Sequence, residues 1–103
     1  MRNLLIDDMR NPGEGIIPTD CVVARSPFAG MQELNKEVWD VLYLDHDLGC
    51  IVDGDEWTGY DVLCAIEEGL CLKPRKVVLV TSNPVGRARM EQVIRKLYEK
   101  ESE

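Results

Sequence analysis

We predict an α/β fold for this chain, with a parallel sheet of about four strands in the order 2-1-3-4 and three main helices. Three observations support this prediction. Apolar runs without alternation, such as Val41–Leu44, are typical of strands buried on both faces. Between the runs lie segments whose apolar residues recur at three- and four-residue spacing, as in amphipathic helices. Strand and helix alternate with short connections, which favours right-handed parallel crossovers and a first strand between the second and third.

Length and composition indicate one domain over residues 1–103. A chain of this length buries about two-thirds of its unfolded surface and needs no disulfide or structural zinc. The hydrophobic fraction of 45% and the charged fraction of 30% are typical of globular proteins. No apolar run approaches the roughly 18 residues of a membrane span, and residues 1–3 lead directly into a strand-like run, so we expect no signal peptide. The four cysteines show no C-x-x-C pair, so we expect a cytoplasmic protein with reduced, mostly buried thiols and no membrane contact.

Local signals place the individual elements. The four strands are expected at Leu4–Ile6, Cys21–Ala24, Val41–Leu44 and Lys76–Val80. The three helices begin at capping residues, namely Ser26 before Pro27, Thr58, and Asn83 before Pro84. The first helix should bury an apolar face of Phe28, Met31, Leu34 and Val38. The second runs from about Gly59 to Glu68, and residues 96–103 should form a frayed, charged tail after the third.

Two acidic clusters follow strands that are expected to be neighbours in the sheet. Asp7 and Asp8 end the first strand, and Asp45 ends the third. Carboxyl ends of parallel strands meet at one edge, where ligand sites lie in open α/β sheets. Adjacent carboxylates repel, and a divalent cation relieves that repulsion. We therefore predict a Mg²⁺ or Mn²⁺ site at Asp7, Asp8 and Asp45; the alternative is that one aspartate caps a turn and another faces solvent.

Candidate catalytic residues adjoin this predicted metal site. Asp45, His46 and Asp47 follow the third strand directly. If the chain stays extended, Asp45 and Asp47 point to one side and His46 to the other. Either His46 or Asp47 is expected to activate water or to protonate a leaving oxygen.

A phosphate site is predicted at the start of the third helix. Helix N-termini attract anions, and Arg87 adds positive charge there. Thr81, Ser82 and Asn83 end the fourth strand at the same edge. Arg10, in a Pro- and Gly-containing loop, serves either as a second phosphate clamp or as a counter-ion of Asp7 and Asp8, with equal support.

The acidic segment 50–58 adjoins this edge. Its Asp-Gly dipeptide marks a turn, and Asp53, Asp55 and Glu56 suggest a cation site. The remaining ligands of a calcium loop are missing, so a mobile acidic flap beside the site is the preferred interpretation.

The residues at this edge resemble the receiver domains of bacterial two-component signalling. Those carry an acidic pair after strand one, here Asp7 and Asp8, and a phospho-accepting aspartate after strand three, here Asp45. A glycine opens the next helix, here Gly59, and a Thr or Ser ends strand four, here Thr81. The chain departs from them by lacking the fifth strand and its phosphate-contacting lysine, and by carrying His46 and Asp47 behind the acceptor.

Four blocks in order resemble more closely the cyclic-phosphate processing receiver family of phages and bacteria. They are Leu-Ile-Asp-Asp-Met-Arg, Leu-Asp-His-Asp-Leu-Gly, Thr-Gly-Tyr-Asp and Ser-Asn-Pro-Val-Gly-Arg. The resemblance implies a three-layer flavodoxin- or receiver-like fold. It further implies that a phage-encoded copy would be located in the cytoplasm of the bacterial host. It also implies a role in handling cyclic phosphates from RNA repair. Many members carry a histidine where Thr81 stands.

Three functions follow as expectations. The first is metal-dependent hydrolysis of a small cyclic or nucleotide-derived phosphate, in RNA repair or in conflict between phage and host. The second is a signalling module phosphorylated on Asp45. The third is a non-catalytic module that sequesters a nucleotide or a partner protein. The net charge of −7 argues against extended binding of a nucleic-acid backbone, which needs a basic face.

Overall fold

The computed structural model describes residues 1–99 as a parallel sheet, a small hairpin and three helices. In chain order the elements are β1 (Asn3–Ile6), β2 (Val22–Ala24), α1 (Pro27–Leu34), β3 (Val41–Leu44), β4 (Cys50–Val52), β5 (Asp55–Trp57), α2 (Gly59–Glu67), β6 (Lys76–Leu79) and α3 (Pro84–Glu99). The main sheet has the order β2-β1-β3-β6, and all its pairings are parallel. The predicted fold class and strand order are therefore confirmed.

The described helices pack on one face of this sheet. Alternate strand residues point toward them, so that Leu4 and Ile6 of β1 join the helix residues Leu63 and Met90 in one buried cluster. Leu5 is fully buried but lies outside that cluster, on the opposite face. There the long loop 7–21 covers the sheet: Ile17 is buried and the side chain of Asn3 donates to the backbone oxygen of Asp20. A loop, and not a helix, thus forms the layer on this face in the part of the chain described.

All three predicted caps are present. Ser26 Oγ accepts from Ala29 N, Thr58 forms a capping box with Asp61, and Asn83 Oδ1 accepts from Gly86 N. Helix α3 continues to Glu99, so the expected fraying from residue 96 is wrong up to that point, and residues 100–103 lie outside the described part.

The predicted apolar face of α1 is partly wrong. The helix ends at Leu34, before Val38, which is 48% exposed, and Trp39 fills the core at this point instead. Phe28 is 39% exposed, and its ring lies 5.0 Å from the ring of Trp57.

Segment 50–58, predicted as an acidic flap beside the site, forms the antiparallel hairpin β4–β5. Its turn residues Asp53 and Gly54 have φ values of 52° and 81°, as a two-residue turn with the twist of a hairpin requires. The Asp-Gly dipeptide was the available signal for this hairpin. Contact between Trp57 and Phe28 attaches the hairpin to α1.

The cysteines are less buried than expected. Cys71 is buried, whereas Cys21, Cys50 and Cys64 are only half-buried. Partial burial still raises the pKa of the thiols of Cys21, Cys64 and Cys71, which disfavours the reactive thiolate. Within residues 1–99, no helix combines the length and the apolar character needed to cross a bilayer.

Candidate metal and phosphate site

Three carboxylates meet at the carboxyl ends of β1 and β3. One oxygen from each of Asp7, Asp8 and Asp45 lies within 4.8 Å of the others. The parallel register pairs Ile6 with Leu44, which brings the residues after both strands to the same edge. Asp7 is fully buried and Asp45 is 7% exposed. The structure thus brings together the three residues predicted as metal ligands.

Backbone groups orient the two buried carboxylates. Asp7 Oδ1 accepts from the amides of Met9 and Arg10, each at 2.9 Å. Asp45 Oδ1 accepts from the amide of His46 at 2.8 Å. These bonds hold Oδ1 of each carboxylate in place, while Oδ2 of each contacts Arg10.

Arg10 occupies the space between these two oxygens. Its Nη1 lies 3.0 Å from Asp7 Oδ2 and 3.2 Å from Asp45 Oδ2. The structure therefore shows Arg10 as a counter-ion of Asp7 and Asp45, whereas the sequence had suggested Asp7 and Asp8. Asp8 has no such partner among the residues described.

The charge on Asp45 is incompletely compensated. Burial raises the pKa of its carboxyl group above the ordinary value, and the negative charge of Asp7 acts in the same direction. The amide of His46, the hydroxyl of Thr81 and the guanidinium of Arg10 lower the pKa but do not cancel that effect. Three clustered carboxylates facing one arginine are a donor set of the kind that hard divalent cations take in proteins.

A cavity of about 620 Å³ opens over the cluster; we call it the acidic cavity. It is lined by Asp7, Asp8, Met9, Arg10, Asp45, Asp47, Gly49, Glu56 and Ser82. Glu56 was predicted to lie in the acidic flap but was not among the predicted metal ligands. The hairpin brings it here, and the acidic composition of segment 50–58 was the signal that could have indicated its place.

His46 and Asp47 have different positions relative to this cavity. Asp47 lines it, but His46 does not. His46 Nδ1 lies 2.9 Å from Asp47 Oδ1, and this contact is the main cause of the lowered pKa of Asp47. The opposite orientation of Asp45 and His46, expected from strand geometry, is thus present.

Two glycines allow helices to approach this segment closely. A Cβ on Gly86 would lie 2.5 Å from the His46 ring, so α3 packs directly over the imidazole. A Cβ on Gly59 would lie 1.9 Å from the carbonyl oxygen of Asp45. The amide of Gly59 donates to His46 O at 2.9 Å, which fixes the backbone that carries the site residues.

The polar residues after β6 have distinct surroundings. Thr81 is buried, and its Oγ1 accepts from the amide of Asn83. Ser82 lines the acidic cavity. Asn83 uses its side-chain oxygen to cap α3, while its Nδ2 donates to Asp47 Oδ2 at 3.4 Å. Of the residues predicted to bind phosphate, Ser82 and Arg10 line the acidic cavity, while Asn83 reaches it through Asp47.

The structure does not bring Arg87 into the acidic cavity. Its Nη2 donates to the carbonyl oxygens of Leu79 and Thr81, each at 3.2 Å, and its Nη1 lies 3.8 Å from Glu91. Arg87 instead lines a second cavity of about 380 Å³, which we call the arginine cleft. Its lining residues are Arg10, Glu14, Gly15, Ile16, Ile17, Leu79, Val80 and Arg87.

Fold and site together define a receiver-like α/β domain with an acidic site at the carboxyl edge of its sheet. Over residues 2–96 the sequence matches the family described as the cyclic-phosphate processing receiver domain. The chain belongs to that family. The resemblance seen in the four sequence blocks is therefore confirmed.

Comparisons with curated proteins and with solved structures bear only on the fold of this chain. No curated protein matches the chain. One similar solved structure is described as a trimeric coiled-coil segment of yeast Spc42 fused to another structure. It shares 17% identity with this chain at a TM-score of 0.62, covering 90% of this chain and 61% of that one. At this identity the likeness supports the α/β architecture and carries no functional information.

Proposed function

We propose that this protein is a divalent-metal-dependent phosphoesterase that hydrolyses a small cyclic phosphate, or a nucleotide-derived phosphate, in the acidic cavity. The observation that supports it most strongly is the convergence of Asp7, Asp8 and Asp45 to within 4.8 Å, with only Arg10 as counter-ion among the described residues. The family description supports cyclic phosphates as the substrate class.

The three aspartates would hold Mg²⁺ or Mn²⁺. Their carboxylate oxygens suit either ion, and the half-buried Asp8 lines the open cavity, where there is room for water or substrate. A divalent cation bound there supplies a Lewis acid for a phosphoryl oxygen and a source of activated water.

Asp47 is the best-placed proton acceptor. It lines the cavity, whereas His46 does not. His46 acts as a positioning residue, since its Nδ1 contacts Asp47 and its ring packs beneath α3 away from the cavity. The sequence favoured His46 and Asp47 equally as the proton-transferring residue, whereas we now prefer Asp47. The Ser82 hydroxyl and the Arg10 guanidinium are the donors that can contact a phosphate in the cavity.

The direct test is turnover of 2′,3′-cyclic nucleotides and ADP-ribose cyclic phosphate with Mg²⁺ or Mn²⁺. We expect metal-dependent hydrolysis by the wild type and a large loss in Asp8→Asn. Asp53→Asn is the matched control, because it removes the same charge from the hairpin turn outside the cavity and asparagine tolerates positive φ there. Absence of turnover of every compound with both metals would contradict the proposal.

A second candidate is a signalling module phosphorylated on Asp45. The hydroxyl of Thr81, which lowers the pKa of the Asp45 carboxyl group, favours it, because a hydroxyl in that place resembles the receiver arrangement. A small phosphodonor with Mg²⁺ should then add one phosphate to the wild type and none to Asp45→Asn, and His46→Ala should leave that reaction intact. Tight nucleotide binding with neither reaction would favour sequestration instead.

A further inference from the structure

The arginine cleft adjoins the acidic cavity without being part of it. Arg10 lines both spaces, and its Nη1 contacts Asp7 and Asp45 on the acidic side. A ligand whose phosphate lies in the acidic cavity can therefore extend past Arg10 into the cleft. The proposed phosphoesterase function uses none of the other residues that line the cleft.

We propose that the arginine cleft binds the nucleoside part of the substrate, so that the protein acts on a mononucleotide in preference to a phosphate ester without a base. This inference rests on the proposed function for the position of the phosphate. The walls, the polar groups and the size of the cleft favour a nucleoside independently of the acidic cavity.

The walls of the cleft suit a flat ring. Aliphatic side chains come from two separate segments: Ile16 and Ile17 lie in the loop, while Leu79 ends β6 and Val80 follows it. Ile17 is 3% exposed and forms part of the wall, whereas Ile16 is 67% exposed at the mouth. An exposed isoleucine at the mouth of a cavity is shielded from water when a base covers it, which favours binding.

Backbone bonds hold this loop in shape. The amide of Ile17 donates to Glu14 O at 2.9 Å, and the amide of Gly13 donates to Ile17 O at 3.1 Å. Arg25 ties the start of the loop down through the oxygen atoms of Arg10 and Asn11. The cleft is therefore largely preformed, which reduces the entropy lost on binding.

Two charged groups in the cleft match the polar edges of a nucleoside. Arg87 is held by the carbonyls of Leu79 and Thr81 while its side chain is 43% exposed, so a planar guanidinium is available for stacking on a base. Glu14 receives a hydrogen bond from Asn11 Nδ2 and retains acceptor capacity for base amino or ribose hydroxyl groups.

The size of the cleft limits the ligand. A volume of about 380 Å³ lies near the lower end of the roughly 300–1,000 Å³ of small-molecule sites. A single nucleoside fits this range, and an oligonucleotide does not. The net charge of −7 also disfavours a longer nucleic acid.

The test uses isoleucine methyl NMR, because the six isoleucines divide into two that line the cleft and four that do not. With Mg²⁺ present, 3′-AMP should shift the methyl signals of Ile16 and Ile17 strongly and those of Ile51 and Ile94 little. Glycerol 2-phosphate, which has a phosphate but no base, should leave Ile16 and Ile17 nearly unshifted. Ile16→Ser should weaken 3′-AMP binding about 5- to 10-fold, because serine removes the apolar surface that the base would cover.

The matched control is Ile51→Ser, which changes an isoleucine of similar exposure, 71%, on β4 outside the cleft. It should leave 3′-AMP affinity unchanged. Equal shifts with glycerol 2-phosphate, or unchanged affinity in Ile16→Ser, would overturn the inference.

Adenosine separates this inference from the proposed function. Having no phosphate, it should shift Ile16 and Ile17 with or without Mg²⁺, even if the metal site proves absent. Suppose that 3′-AMP shifts the backbone amide signals of residues lining the acidic cavity, and that neither 3′-AMP nor adenosine shifts the Ile16 and Ile17 methyls. The nucleoside assignment then fails, while the phosphoesterase proposal stands.

Discussion

The acidic cavity and the arginine cleft share Arg10 but are built in different ways. The carboxylates of the cavity follow directly after paired strands, so the sheet fixes their backbone to the same edge. The walls of the cleft come from the loop after β1 and from the edge strand β6. The strands β1 and β6 are not hydrogen-bonded neighbours in the sheet. The first site has a recognisable sequence pattern, whereas the second arises from the folding of distant segments onto each other.

The two sites also differ in how their charges are compensated. Buried Asp7 and Asp45 share one arginine, whereas Arg87 has two carbonyl oxygens and the more distant Glu91. An excess of negative charge in the cavity attracts a cation, while a satisfied guanidinium in the cleft serves as a fixed wall. Substitutions and added metal should therefore affect the cavity and the cleft differently.

Asp47→Asn should lower kcat by about 10²- to 10⁴-fold, the usual effect of removing a general base. His46→Ala should cost less, because His46 acts on Asp47 and does not line the cavity. Steady-state kinetics on a 2′,3′-cyclic nucleotide measures both, with circular dichroism to check the fold. Wild-type activity in Asp47→Asn would show that the proton acceptor lies elsewhere.

Mg²⁺ or Mn²⁺ should stabilise the wild type by about 2.7 kcal/mol at a hundredfold excess over its dissociation constant. Thermal melts at low ionic strength provide the measurement. The gain should be much smaller in Asp8→Asn and unchanged in Asp53→Asn, because both changes remove one negative charge but only Asp8 lines the cavity. Equal gains in all three proteins would indicate nonspecific screening.

Arg10→Gln should destabilise the metal-free protein by about 1–3 kcal/mol, because buried Asp7 loses a charged donor. The same change should tighten Mg²⁺ binding, since the guanidinium contacts the oxygens that a cation would use. Arg89→Gln is the control: this arginine stacks on the ring of Tyr60 away from the cluster. Weaker metal binding in Arg10→Gln would contradict the role of counter-ion.

The stability of the metal-free protein should depend on pH through Asp45. The pKa of Asp45 in the folded protein is raised above the ordinary value of 3.8. Protonation of Asp45 therefore stabilises the fold, and this contribution is complete below about pH 3.8. The contribution is lost as the pH rises through the folded-state pKa. Asp45→Asn resembles the protonated form. Its stability relative to the wild type should therefore increase from about pH 4 toward neutrality in urea titrations without metal. A difference that shrinks over that range would refute the assigned cause.

The strand order, the three helix caps and the convergence of Asp7, Asp8 and Asp45 could be predicted from the sequence. These features depend on local chemistry: a capping side chain bonds within three residues, and alternation of strand and helix leaves few sheet topologies. Residues that follow adjacent parallel strands must then lie near one another, whatever their distance along the chain.

The directions of the Arg87 and His46 side chains depend on tertiary packing and could not be predicted from the sequence. Arg87 turns to the open carbonyls of Leu79 and Thr81, and His46 packs beneath Gly86, because these partners become available only when α3 lies against the sheet. The hairpin likewise carries Glu56 to the acidic cavity, and loop 7–21 brings Ile16 and Ile17 beside β6. A flexible side chain has several rotamers of similar energy, and contacts with segments distant in sequence select among them.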